Sequence, residues 1–187
     1  MTGMFHGADL SKMDLSGLKT DNVTDMSEMF GQASNFSNSD IANFNTSNVT
    51  NMASMFNRVN PDASDQENYF TTIDLSHLDT SHVTDMSKML ANNSHLTTIN
   101  FGDSNSKFDT SQVTNMAQMF SGDTALTELD VSKFNTRNVV DMSYMFNQDM
   151  QLMHLDLSSF DTKKVVDMSY MFNNVTQLGR LDLRNFK

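Results

Sequence analysis

Two hydrophobic patterns alternate along this chain. One is a short period-two run, as in Leu129-Asp130-Val131 and Leu155-Asp156-Leu157. That alternation predicts a strand with one buried face, Leu129 and Val131 inward and Asp130 outward. The other pattern has apolar residues at i, i+3, i+6 and i+7, as in Val139, Met142, Met145 and Phe146. That is helical spacing over two turns. The Asp or Asn before the first methionine, at 25, 51, 85, 115, 141 and 167, is a favoured N-cap type, so a short helix or 3₁₀ turn is predicted there. Such a turn is too short to stand alone and must bury its methionines and phenylalanine against a neighbour.

Both patterns recur. The second starts at Val23, Val49, Val83, Val113, Val139 and Val165, six copies with steps of 26, 34, 30, 26 and 26 residues. Met1, Met4 and Phe5 fit the end of a seventh. The whole unit reads L-x-x-L-D-L-S-x-F-D-T-x-x-V-T-D-M-S-x-M-F plus a short link, and the longer steps come from insertions within 57–69 and 102–107. A period of this size means a solenoid, propeller or array. The expected fold is an α/β repeat solenoid over 1–187. It is a single array of about seven coils, the first and last partial, with one short parallel strand and one short helical or 3₁₀ turn per repeat. The buried strand column would read Met13/Leu15, Ser39/Ile41, Ile73/Leu75, Ile99/Phe101, Leu129/Val131, Leu155/Leu157 and Leu181/Leu183, with Ser39 its weak member. Fourteen of the 17 methionines fall in two columns. Thioethers suit copper(I), but the periodic placement favours core packing by an adaptable side chain.

The repeat wording closely resembles the 26-residue leucine-rich-type repeat of BspA-like bacterial surface proteins, over essentially the whole chain. The resemblance implies a leucine-rich-repeat-like, right-handed coil. It also implies an extracellular setting, secreted or wall-attached, in Gram-positive bacteria, Mycoplasma or some protozoa. The implied activity is adhesion to host matrix, mucus glycoprotein, polysaccharide or a neighbouring cell. Neither end reads as the polar cap that a solenoid needs. The chain is therefore expected to be a piece of a larger surface protein or to be capped by flanking sequence.

Composition narrows the partners. The net charge of −11 repels nucleic acid and anionic lipid. No run of 18 apolar residues exists, so no membrane insertion by a helix is expected. There is no cysteine, hence no disulfide or zinc-thiolate site. The five histidines have no metalloprotease spacing, and no nucleophile or phosphate-loop motif is present, so no enzyme and no cofactor are expected.

The candidate binding residues are these. The outward strand position reads Asp14, Asp40, Asp74, Asn100, Asp130, Asp156 and Asp182. Like charges facing one another on adjacent strands repel. Either each carboxylate bonds to its following turn, or the row attracts a basic ligand, with weak calcium binding as a minor alternative. Thr20, Thr46, Thr80, Thr110, Thr136 and Thr162 form a second column, read as turn formers. The insertion at 57–69 is either a tolerated surface excursion or a binding loop, with Arg58, Tyr69 and Phe70 its first residues to test. Tyr144 and Tyr170 share one repeat position, as an outer aromatic patch or partly buried between coils. The expected function is a non-enzymatic adhesion module acting through its concave face and insertion loops. The alternatives are a structural spacer and an accessory module of a larger secreted protein or enzyme.

Overall fold

A computed structural model describes residues 1–61, 69–179 and 181–186. The chain is built of turns and short strands. Strand β1 (Thr72–Asp74) pairs in parallel with β2 (Thr98–Asn100), setting Ile73 opposite Ile99. Strand β3 (Glu128–Leu129) pairs in parallel with β4 (His154–Leu155), setting Leu129 opposite Leu155. β2 and β3 are not paired, so the two sheets are separate. The period-two reading holds where the unit is regular: Leu129, Val131, Leu155 and Leu157 are buried, and Asp130 and Asp156 are exposed. It fails at Met13 and Leu183, which are exposed, and at the weak member Ser39. There the strand gives way to a 3₁₀ turn at Asn38–Asp40. The Asn38 side chain takes over a strand's bonding, accepting from the Asp74 amide at 2.9 Å and donating to the Thr72 carbonyl at 3.4 Å.

The methionine box is not the predicted helix. Its backbone amides alternate between two kinds of partner. In the copy at 139–149, Met142, Tyr144, Phe146 and Gln148 donate to the next unit's Asp167, Ser169, Met171 and Asn173 at 2.8–3.0 Å. Met145 and Asn147 donate three residues back within their own unit. No amide is left for a helical ladder. The result is a run of tight turns with positive φ at the third position, at Tyr144 (57°) and again at Gln148 (67°). The residues expected as N-caps sit instead at single-residue parallel bridges, Asp25 to Asn51 to Asp85 to Asn115 to Asp141 to Asp167. Each uses its side-chain oxygen to accept the amide two residues on, as Asp141 does from Ser143 at 2.8 Å.

Successive boxes thus lie side by side, and what they bury is what the sequence repeats. Met52, Met55, Met86, Met89, Met116, Met119, Met142 and Met145 have no exposed surface. Phe5, Phe30 and Phe56 stack at 5.6 and 5.8 Å, and Phe120, Phe146 and Phe172 at 5.8 Å, with Leu90 between the two stacks. The threonine column is fully inside. The threonine does not close its own turn; the Asp or Asn before it does, as Asp109 accepts the Ser111 amide at 2.8 Å. Thr136 Oγ1 accepts from the next unit's Asp161 amide at 2.8 Å and donates to the Asp161 carbonyl at 3.1 Å, and Thr80 and Thr110 treat Asp109 and Asn135 alike.

Candidate functional site

The break between the two sheets makes the site. Asn100, the one amide in the outward aspartate row, ends β2. Its Oδ1 accepts the Gly102 amide at 2.8 Å, and the insertion 102–107 follows at once. Gly102 has φ +83°, and a Cβ there would lie 2.5 Å from that of Ser106 and 2.8 Å from that of Ser76. Only glycine fits that turn. Ser106 then fastens the loop, its single O–H within reach of two carbonyls, Ser76 O at 2.8 Å and Phe101 O at 2.7 Å. From the next unit, Lys133 Nζ donates to Gly102 O at 2.7 Å.

These contacts frame a cleft of about 880 Å³ lined by residues of three successive units, among them Ser76, His77, Asn100, Asn105, Lys107 and Lys133. Its walls offer amides, hydroxyls and two ammonium groups in a chain whose net charge is −11. Beside it Phe101 packs against Phe108 and Phe134 at 4.8 and 5.0 Å, giving the polar wall a rigid apolar backing. The cleft is shallow and largely open to solvent, with polar and apolar surface in similar measure.

The predicted aspartate row divides. Asp14, Asp74, Asp130 and Asp156 each accept the amide two residues on, from Ser16, Ser76, Ser132 and Ser158, at 2.8–3.0 Å. The hydroxyl and amide of Ser132 hold the Asp130 carboxyl below the usual carboxylate range, and Ser16 and Ser76 do the same for Asp14 and Asp74. Asp182 accepts the Arg184 amide at 3.1 Å and pairs with its guanidinium at 2.6 Å. Asp40 turns the other way and accepts the Ser37 amide at 2.7 Å. Of this row only Asn100 lines the large cleft. Among the described residues, no group of three or more His, Cys, Asp or Glu gathers to hold a metal ion.

The other candidates lie elsewhere. Tyr69 stacks on His95 at 3.8 Å and 15°. Arg58 borders a smaller hollow of about 150 Å³ with Asn60, Pro61 and His95. Residues 62–68 of that insertion lie outside the described residues. Tyr144 and Tyr170 stack at 4.8 Å, Tyr170 exposed and Tyr144 half-buried. Sequence reasoning did not single out His77 or Lys133, and pointed to Ser76 only as a partner of the Asp74 carboxylate. The signal that points to them is the coincidence of Asn100, which interrupts the row, with an insertion two residues later.

The arrangement defines a protein of turns and short parallel strands whose successive units lie edge to edge, three of them lining one open cleft. The chain belongs to the family described as "Mycoplasma protein of unknown function, DUF285", whose model matches residues 1–100 and again 94–187. No curated protein and no solved structure matches the chain.

Proposed function

We propose that this chain is a non-enzymatic binding module of the BspA-like class, a right-handed leucine-rich-repeat-like solenoid displayed outside the cell. Its ligand is a glycan or glycoprotein of a host or neighbouring surface, held in the cleft at the second insertion. The observation that carries this reading is the cleft itself: about 880 Å³, lined by hydrogen-bonding groups from three successive units. Binding of this kind needs only a prearranged surface, and a repeat scaffold supplies one. The loop is held by Gly102, Ser106 and Lys133 before any ligand arrives, which lowers the ordering cost of association. The spacer reading is favoured by a different observation, the run of parallel bridges from Asp25 to Asp167, which would stiffen a stalk.

A glycan and matrix-protein array with this chain separates the two. The adhesion reading expects a ligand whose signal drops at least tenfold in the Asn105→Ala/Lys107→Ala variant. An array with no ligand, or one whose signal is untouched by that variant and by a Gly-Ser replacement of 57–69, leaves the spacer.

A further inference from the structure

One buried column has no role in the cleft. Three residues past the box phenylalanine or leucine, successive units carry Ala33, Val59, Asn93, Asp123, Asp149 and Val175. In its polar stretch, each side chain bonds to the unit before. Asn93 Oδ1 accepts the Val59 amide at 2.8 Å, Asp123 Oδ1 accepts the Asn93 amide at 2.8 Å, and Asp149 Oδ1 accepts the Asp123 amide at 3.0 Å. The second atom of each side chain is where they differ. Asn93 Nδ2 donates to two carbonyls, Phe56 O at 2.9 Å and Leu90 O. The equivalent atom of Asp123 is Oδ2, which is fully buried and has no hydrogen-bond partner. By the repeat, the groups it meets correspond to the carbonyls of Phe120 and Leu90, which are acceptors. An ionised carboxylate only accepts, whereas a neutral carboxylic acid has one O–H to donate.

We propose that Asp123 and Asp149 are neutral carboxylic acids standing in for asparagine, and that they make the joint between the units at 93, 123 and 149 tight in acid and loose in alkali. The electrostatics agree in direction. Burial, with Asp149 beside it, pushes the Asp123 carboxyl well above the ordinary range, and burial pushes Asp149 up to about 8. The ionisable group beside Asp123 is Asp149; the other groups facing the pair are the amides of Asn93, Gly122 and Asp123. Folding therefore favours the protonated form of both. Their contribution is fully present below the unfolded value of 3.8 and is lost as pH rises through the folded values. Each group can change the unfolding equilibrium constant by up to tenfold per pH unit across that window.

The test is thermal and urea unfolding of the whole chain from pH 5 to pH 9, for wild type and for Asp123→Asn and Asp149→Asn. Asparagine does not titrate, and at position 123 it also supplies the missing donor. Each variant is expected to melt above wild type at pH 8.5, with the gap closing towards pH 5. Asp156→Asn on the surface should leave the slope above pH 6 unchanged. Superimposable profiles of wild type and the buried variants would overturn the proposal. Carbon-13 NMR of the aspartate carboxyls in wild type tests it without any substitution: Asp123 must stay protonated well above the ordinary aspartate range, and an ionised signal at pH 5 sinks the idea. A melting temperature that rises with added sodium, potassium or calcium at pH 8, in wild type but not in Asp123→Asn, would also overturn it, since an ion and not a proton would then occupy the joint.

Discussion

Asn51 Nδ2 donates to Asp25 Oδ2 across 3.2 Å, joining two units at a parallel bridge. Asn115 does the same to Asp85 at 3.4 Å. The bridge column therefore alternates acid and amide through Asp25, Asn51, Asp85 and Asn115, and the alternation ends where Asp141 meets Asp167. An amide beside a carboxylate offers a donor; a second carboxylate offers only like charge. Asn115→Asp is expected to cost about 0.5–1 kcal/mol at low salt, and Asp141→Asn to gain a comparable amount. Urea unfolding at low and high ionic strength checks both. The two effects should shrink together as salt rises, because these groups are partly exposed.

The buried threonines permit a sharper prediction. Thr136 Oγ1 satisfies both the amide and the carbonyl of Asp161. Thr136→Val keeps the shape and strands both groups in the interior. It should cost about 1–3 kcal/mol in urea unfolding, while Thr136→Ser, which keeps the hydroxyl, should cost less. A valine variant as stable as wild type would show that the hydroxyl is not what joins these units.

How far the sequence alone could reach follows from which groups do the bonding. Leu129, Val131, Leu155 and Leu157 were legible because side-chain alternation is itself the strand signal. The methionine box was misread because apolar spacing of i, i+3, i+6 and i+7 records which side chains go inward, not how the backbone carries them there. The turns that carry them need positive φ at Glu28, Ser54, Lys88, Gln118, Tyr144 and Tyr170, none of them glycine. Such residues give little warning of a left-handed conformation. A trace was present: Gly3 holds that turn position in the first unit, and Gly122 holds the following one in a later unit. The cleft was half legible. Its insertion stood out, but the partner lysine at 133 comes from another unit and only the stacking brings it there.

Gly102 offers a direct test of the loop that frames the cleft. At φ +83°, and with two serine Cβ positions inside contact distance, an alanine methyl has nowhere to go. Gly102→Ala is expected to destabilise by at least about 1–3 kcal/mol, the cost of a left-handed non-glycine residue, with the clash in addition. It should also lower ligand capture far more than an alanine at exposed Ser104, which does not line the cleft. The melting temperature and the array signal, measured on the same preparations, separate loss of the loop from loss of the fold.

The surface aspartates give the protein an acid limb of opposite sign to the buried pair. Asp14, Asp74 and Asp130 are held low by the hydroxyl and amide of the serine two residues on, so folding favours their ionised form. Their stabilisation is present above the unfolded value of 3.8 and is lost as pH falls through the folded values. Each contribution is small, because these groups face water, which screens them. Together with the alkaline limb set by Asp123 and Asp149, they place the stability maximum near about pH 4 to 5, well below neutrality. Melting curves between pH 2 and pH 6 should fall on the acid side. The slope should become shallower in Asp130→Asn, which keeps the oxygen that accepts the Ser132 amide but no longer titrates. A slope unchanged in that variant would mean that the acid limb is set by groups other than the strand-end row.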